Sequence, residues 1–245
     1  MRPIRRGTSP IAFDFEDYKD AKPDLVARLG SYCSFCERRI ATNLAVEHVQ
    51  PKGLAAYSHL IGRWENFLLA CVNCNSSKLV KDVKVANLLL PDRDNTFAAL
   101  QYLRDGSIEA SPSAVAAGLV KIVSDTLALT GLDKAALNSP DANGRQVALD
   151  RVRQRMEAWL IADESRADLT ADPLNLGLQR AIVNVATATG FFSIWMTVFQ
   201  GEPSMLGRLI DAFDGTRASG CFEAVTGLAV SPAPNPDGLP AGGKL

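Results

Sequence analysis

The sequence has few of the features that mark secreted or membrane proteins. No apolar run follows the N-terminal MRPIRRG, so we expect no secretion signal. Four of the only five cysteines form two close pairs, which argues against a disulfide scaffold. Residues 181–199 are apolar, but five Asn, Thr or Ser residues interrupt them, so we predict a buried core helix and not a membrane span. We therefore expect a cytoplasmic protein.

The composition is that of a globular protein with an uneven distribution of charge. The chain has 245 residues, of which 47% are hydrophobic, and we find no internal repeat. Its net charge is −1, but residues 1–90 hold 13 Lys or Arg against 9 Asp or Glu. Residues 91–245 hold 13 against 18. A mildly basic first part suits contact with phosphate, although a solvated charged face would give the same counts.

The two cysteine pairs have the spacing of zinc knuckles. Cys33 and Cys36 form the first Cys-x-x-Cys pair, and Cys71 and Cys74 form the second. Four thiolates suit the closed tetrahedron that structural Zn²⁺ prefers. Redox chemistry of the thioredoxin type fits less well, since it needs only one such pair. We therefore predict a structural zinc site, with Cys221 as a small packed hydrophobic residue.

The region around the cysteines predicts a hairpin followed by a helix. Residues 44–49 and 64–70 have the composition of short strands, and residues 74–84 have that of a helix. We predict an α+β fold in which a small zinc-stapled ββα module precedes a mostly helical region. The segments expected are an N-terminal lead-in (1–29), the module (30–90), a connection (91–110), a helical domain (111–215) and a C-terminal segment (216–245).

Further predictions concern the two ends and the helical region. We expect residues 1–24 to be extended and solvated, and the Pro- and Gly-rich residues 231–245 to be disordered. Helices are predicted at 113–129, 144–163, 181–199 and 206–213. In the second of these, the side expected to be apolar carries Leu149, Val152, Met156, Trp159 and Leu160. The arginines that lie elsewhere on it, which we expect to form a solvated face or a partner surface, are Arg145, Arg151, Arg153 and Arg155.

Between the cysteine pairs lie residue types that suit phosphodiester hydrolysis. This reaction needs a base that activates water, and His48 suits that task because an unperturbed imidazole has a pKa of about 6.5. Glu47 and Asn75 offer oxygen atoms that favour Mg²⁺ or Mn²⁺. Asn66 would orient the loop or the imidazole. Each also has a structural alternative: His48 as a core or surface residue, Asn75 as a helix cap, and Asn66 as an ordinary loop residue.

Several basic residues could contact a phosphate. Lys78 lies three residues after Asn75 and hence on the same helix face. Lys52, Arg38 and Arg39 are further candidates. The only other histidine, His59, is more simply explained as a loop residue without a role.

The cysteine pairs and the residues between them form an ordered motif: C-x-x-C, E-H-V-x-P-K, W-x-N and C-x-x-C-N-x-x-K. This motif resembles the zinc-stapled branch of the HNH (ββα-metal) endonuclease superfamily. The resemblance covers about residues 30–85. It implies a metal-binding Glu47, a general base at His48, a structural Asn66 and a second metal ligand at Asn75. The four cysteines match the family's zinc ligands. Glu47 stands where Asp or His is commoner.

Within that superfamily, the sequence is similar to HNH nucleases of bacterial anti-phage systems, including the Septu nuclease subunit, which works with an ATPase partner. We therefore predict a metal-dependent endonuclease that acts on DNA in defence against phages. An ATPase subunit or a second copy of the chain is the expected partner. The alternative is a zinc-stapled module that binds nucleic acid or protein without catalysis.

Overall fold

A computed structural model describes residues 1–134 and 151–245, and these residues form an α+β structure. The elements of the first half are α1 (Lys22–Leu29), β1 (Ala45–His48), β2 (Phe67–Ala70), α2 (Val72–Lys78), α3 (Thr96–Ala99), β3 (Leu100–Tyr102) and β4 (Ile108–Ala110). Those of the second half are α4 (Pro112–Ala116), α5 (Val120–Thr130), α6 (Arg151–Ala171), α7 (Leu176–Thr189), α8 (Phe192–Val198) and α9 (Pro203–Ala212). The α+β class predicted from the sequence is confirmed.

The first hairpin and the helix after it form the unit that carries the candidate site. β1 pairs antiparallel with β2, and His48 lies opposite Phe67. All four residues of β2 are buried, so this strand has protein on both faces. Cys71 joins β2 to α2, which begins at Val72, two residues before the predicted start. The helix ends at Lys78 because Leu79, with φ of 48°, leaves the helical conformation.

The predicted helix at residues 181–199 is two helices, α7 and α8, with a break that receives the first cysteine knuckle. Gly190 and Phe191 both have positive φ angles at the break. The amide of Phe191 donates to the carbonyl of Glu37 at 3.0 Å. A Cβ atom on Gly190 would lie only 2.5 Å from that carbonyl oxygen, so only glycine allows so close an approach. The loop of the first cysteine knuckle therefore packs against the break between α7 and α8.

The other helices also differ in part from the predictions. The single helix expected at 113–129 is divided into α4 and α5, and Gly118, with φ of 70°, lies between them. The helix predicted at 206–213 is α9 and begins three residues earlier. In the described parts of the chain, no helix combines the length and the apolar character needed to cross a membrane.

α6 buries Trp159 as predicted, but the rest of its buried face differs from the one expected. Arg151 and Arg155 are buried, whereas Met156 and Leu160 are 45% and 60% exposed. The buried arginines are accommodated because their guanidinium groups find acceptors: Arg155 Nε, for example, donates to the carbonyl of Gly106. The predicted residues 144–150, with Arg145 and Leu149, lie outside the described residues.

The N-terminal segment is not the solvated lead-in that we expected. Met1 and Ile4 are buried in the core, as are the side chains of Arg2 and Arg6. Arg2 donates to Thr216 Oγ1 at 2.7 Å, and Arg6 forms an ion pair with Asp92 at 2.8 Å. Arg2 and Arg6 therefore bind groups inside the protein, and these hydrogen-bond and ion-pair partners offset the loss of hydration.

The C-terminal residues, predicted to be disordered, lie against the loop that precedes α3. Lys244 donates its amide to Asp94 Oδ1 at 3.0 Å, and its carbonyl accepts from the amide of Asn95. Gly243 donates to the carbonyl of Arg93 at 2.8 Å. Asp94 and Asn95 are buried, so the tail supplies hydrogen-bond partners that these groups would otherwise lack.

Candidate metal centre and catalytic site

The four knuckle cysteines come together at one buried point. Their sulfur atoms all lie within 4.8 Å of one another, and each of the four residues is buried. Cys36 Sγ and Cys71 Sγ are 3.7 Å apart, which is too far for a disulfide, whose sulfurs are about 2.05 Å apart. None of the five cysteines, all of which lie in the described part of the chain, forms a disulfide.

The geometry fits a tetrahedral zinc ion. With Zn–S bonds of about 2.3 Å, the sulfurs of a regular tetrahedron are about 3.8 Å apart. The Cys36–Cys71 distance of 3.7 Å agrees with this value. Burial raises the pKa of the Cys33 thiol, and the clustered sulfurs would repel one another as thiolates. A divalent cation would remove that repulsion, so the cluster can hold a metal ion such as zinc.

Glu47 on β1 and Lys78 at the end of α2 form a buried ion pair. Lys78 Nζ lies 2.8 Å from Glu47 Oε1, and it also donates to the carbonyl of His48 at 2.6 Å. Burial raises the pKa of Glu47, while the ammonium of Lys78 acts in the opposite direction. Lys78, expected from the sequence to face a phosphate, is only 2% exposed and binds this carboxylate instead.

His48 is held in one orientation and one tautomer. Its Nε2 atom lies 3.0 Å from the carbonyl oxygen of Ile61. Because a carbonyl oxygen can only accept, Nε2 carries the proton and Nδ1 has the free lone pair. Within the described residues no hydrogen bond to Nδ1 is found. Burial lowers the pKa of His48 below its usual 6.5, so the imidazole is neutral at pH 7.

Two aromatic rings cover most of the imidazole. The ring of Phe67 lies 5.2 Å from the His48 ring, and that of Tyr18 lies 4.7 Å away, both edge to face. His48 is consequently only 5% exposed. The Tyr18 hydroxyl accepts from Lys52 Nζ at 2.7 Å, which holds this ring in place. Tyr18 lies in the segment that the sequence indicated was solvated, and no local pattern pointed to it.

Asn66 closes the loop between the two strands. Its Oδ1 atom accepts from the amide of Gln50 at 2.8 Å, and its Nδ2 atom donates to the carbonyls of Gln50 and Leu60 at 3.0 and 3.2 Å. Leu60 is next to Ile61, whose carbonyl binds His48. Asn66 therefore joins the start and the end of the loop whose residue Ile61 binds the imidazole.

The remaining predicted residues are more dispersed. Asn75 is half-buried on α2, one turn before Lys78, and it is not the helix cap because Cys71 holds that position. Arg39 and Lys52 are exposed. Arg38 donates to Gln154 Oε1 at 3.2 Å and to Asn73 Oδ1 at 3.4 Å. The structure thus brings together Glu47, His48, Asn66, Lys78 and Lys52, without joining Asn75 to them by a hydrogen bond within the described residues.

A second metal ion does not fit the arrangement as it stands. In residues 1–134 and 151–245, the four cysteines form the only group of three or more Cys, His, Asp or Glu side chains that could hold an ion. Glu47, the one carboxylate predicted to bind Mg²⁺ or Mn²⁺, is occupied by the ammonium of Lys78. The positive charge of Lys78 beside this carboxylate opposes the binding of a second cation there.

Comparison with known proteins adds no family assignment: no protein-family model matches the chain, and none of the curated proteins matches it.

Proposed function

We propose that the protein is an endonuclease of the HNH type that hydrolyses phosphodiester bonds in DNA, with His48 as the general base. The hydrogen bond from His48 Nε2 to the carbonyl of Ile61 is the observation that carries this proposal. It leaves the lone pair of Nδ1 available to take a proton from water. The depressed pKa of His48 keeps this form dominant at neutral pH.

The surrounding elements support the proposal because they hold the base rigidly. β1 carries His48, and the Asn66 hydrogen bonds hold the loop that supplies the Ile61 carbonyl. The thiolate cluster fixes the helix that follows β2. A base held in one tautomer at a fixed orientation is what proton abstraction from a bound water requires.

The positive charge at the site comes from the chain itself. Lys78 is adjacent to both Glu47 and the backbone of His48. The family resemblance implies a divalent ion on Glu47 and Asn75, but the Lys78–Glu47 pair disagrees with that assignment. Our proposal therefore assigns proton transfer to His48 and routes no step through a divalent ion.

Access to the base requires movement of the N-terminal segment. With His48 5% exposed, a phosphodiester cannot reach Nδ1 until the Tyr18 ring moves away. Lys52 is exposed and bonded to the Tyr18 hydroxyl, so we assign it to hold a phosphate next to the cleaved bond, whereas Arg39 lies apart from these residues. A role in anti-phage defence and an ATPase or second-copy partner are parts of the proposal that follow from the resemblance alone.

The alternative function, a zinc-stapled binding module without catalysis, is favoured by one observation. The imidazole lies between Tyr18 and Phe67, which is also how a structural histidine would be packed. This alternative has the same metal centre but does not explain why His48 Nδ1 has no hydrogen-bond partner among residues 1–134 and 151–245. It also does not explain the buried charges of Glu47 and Lys78, which cost free energy to desolvate.

A nicking assay on supercoiled plasmid DNA, with Mg²⁺, with Mn²⁺ and without added divalent ions, tests the proposal. We expect His48→Ala to reduce the rate by about 10²–10⁴-fold, the usual contribution of a general base. His59→Ala is the matched control, because His59 is exposed and is the only other histidine. Zinc content and the circular dichroism spectrum must be unchanged in both variants.

Each outcome of this assay is informative. Cleavage that survives His48→Ala at the wild-type rate removes the general base and overturns the mechanism. No cleavage by wild type, even with the Tyr18 ring truncated to uncover His48, favours the binding module. Cleavage without added Mg²⁺ or Mn²⁺ is expected if Lys78 supplies the charge, whereas a strict requirement for either ion means that Lys78 leaves Glu47.

A further inference from the structure

A buried arginine of α6 contacts the metal centre. Arg151 Nη1 lies 3.3 Å from Cys74 Sγ and 3.0 Å from the carbonyl oxygen of Thr130. Its Nη2 atom donates to the carbonyl of Gly131. Arg151 is only 7% exposed, so these contacts replace water for most of the guanidinium group. One side chain thus joins α2, the C-terminal end of α5 and α6.

The charge of Arg151 requires a negative partner. A guanidinium stays protonated in proteins, and a buried charge is costly unless it is paired. Within the described residues, Arg151 forms no ion pair with a carboxylate, and two of its three partners are neutral carbonyls. The third partner is the sulfur of Cys74. Cys74 is one of the four clustered cysteines that can hold a metal ion, and its sulfur would carry negative charge when a metal is bound.

The charge of the metal centre leads to the same conclusion. Four thiolates around one Zn²⁺ leave a net charge of about −2 in a buried site. Groups that hydrogen-bond to metal ligands hold those ligands in place and adjust the strength of metal binding. Arg151 supplies both a positive charge and an N–H donor to one of the four sulfurs.

The end of α5 packs closely against both Arg151 and α2. Gly131, with φ of 64°, ends α5 beside this side chain. A Cβ atom at Gly131 would lie 2.7 Å from Ser77 Oγ on α2 and 3.1 Å from Arg151 Nη2. The end of α5 therefore lies directly against the helix that carries Cys74.

We propose that Arg151 is a positioning residue of the metal centre: it donates to the Cys74 thiolate, offsets the charge of the zinc–thiolate cluster, and makes the docking of α5 and α6 depend on bound metal. This role was not predicted from the sequence, because Arg151 was expected, with Arg145, Arg153 and Arg155, to form a solvated face or a partner surface. This inference does not depend on nuclease activity, so it can hold or fail independently of the proposed function.

Zinc affinity, measured by competition with a chromophoric chelator, is the first test. We expect Arg151→Met to weaken zinc binding by about 10–100-fold, as removal of partners of metal ligands usually does. Arg151→Lys, which keeps the charge but loses the planar fork, should weaken it less. Arg153→Met is the matched control: Arg153 lies on the same helix, its side chain is 51% exposed, and it is 3.9 Å from Glu157.

Two further measurements separate this role from a merely structural one. In the Co²⁺-substituted protein, the thiolate-to-cobalt charge-transfer band should shift in Arg151→Met and Arg151→Lys but not in the control. In the wild type, removal of zinc should accelerate amide hydrogen exchange at the end of α5 and the start of α6 more than in α9. These readouts report the Cys74 sulfur and the docking of the two helices directly.

The proposal is overturned if Arg151→Met binds zinc within twofold of the wild type with an unchanged cobalt spectrum. It is also overturned if the wild-type protein binds no zinc, or if zinc removal leaves exchange in α5 and α6 unchanged. Should Arg151→Met fail to fold, Arg151→Lys decides the question by the same affinity and spectral criteria.

Discussion

Lys78 places its ammonium 2.8 Å from the Glu47 carboxylate, at a point where the two side chains are only 2% and 6% exposed. A buried pair of this kind rarely adds net stability, because desolvation of the two charges offsets their attraction. Burial raises the pKa of Glu47 even with Lys78 beside it. The pair therefore contributes little net stability, and a buried carboxylate with a raised pKa is common at functional sites.

The contribution of the Glu47–Lys78 ion pair to stability can be tested by removing one charge and then both. Lys78→Met leaves the Glu47 carboxylate buried without its cation, and we expect a loss of about 3–5 kcal/mol in the free energy of unfolding. The double variant Glu47→Met/Lys78→Met removes both charges and should recover most of that loss. Urea unfolding at pH 7 in excess zinc measures both values. A double variant as unstable as the single one would show that packing, and not charge, governs this position.

In the proposed mechanism, the pH dependence of cleavage is set by His48. Burial lowers its pKa below 6.5, so the neutral, active imidazole persists to lower pH than for a solvated histidine. We expect a cleavage rate that is flat above pH 7 and falls only below pH 6.5. Because the unfolded state binds this proton more readily, the contribution of His48 to stability is also lost as the pH falls below 6.5. Circular dichroism at each pH separates the two effects. An acidic limb centred above pH 7 would contradict this assignment.

Tyr18 is expected to control access to His48. Tyr18→Ala should increase the rate at which diethylpyrocarbonate modifies His48, because it removes one of the two rings that cover the imidazole. If the protein is a nuclease, plasmid nicking should accelerate as well. Phe13→Ala is the matched control, since Phe13 lies in the same segment but is 84% exposed. Peptide mapping of the modified protein distinguishes His48 from His59. Equal modification of His48 in all three proteins would refute the covering role.

Asn66 is expected to affect both stability and the position of the base. Asn66→Ala removes three hydrogen bonds and leaves the Gln50 amide without its side-chain acceptor. An unsatisfied buried group costs about 1–3 kcal/mol, and we expect a destabilisation in that range. The His48 imidazole signals in the NMR spectrum should also shift, because the Ile61 carbonyl is no longer held. The exposed Asn87→Ala serves as the control. An unchanged imidazole spectrum would mean that the loop holds its shape without Asn66.

Local patterns were enough to predict the metal centre and the hairpin. Cys33 and Cys36 are close in sequence, as are Cys71 and Cys74, so only one long-range contact was needed to complete the cluster. Strand composition likewise located β1 and β2. These features depend on spacing within a few residues, which the sequence displays directly.

The remaining features depend on partners far away in the chain. The buried face of α6 was predicted wrongly because Arg151 finds its acceptors on α2 and α5, which helical periodicity cannot reveal. Tyr18 covers His48 from a segment that has no apolar pattern of its own. The tail is ordered through Asp94, 150 residues before Lys244. In each case a contact between residues far apart in the chain overrides the local prediction.

The close packing of Gly190 against the Glu37 carbonyl has a consequence for biosynthesis. A chain is made from its N-terminus, so all four cysteines leave the ribosome more than 100 residues before Gly190 does. Zinc can therefore be captured while the helices after α5 are still being translated. The loaded knuckle would then be the template on which α7 and α8 assemble, and a delay in metal supply would leave the Phe191 amide without its acceptor.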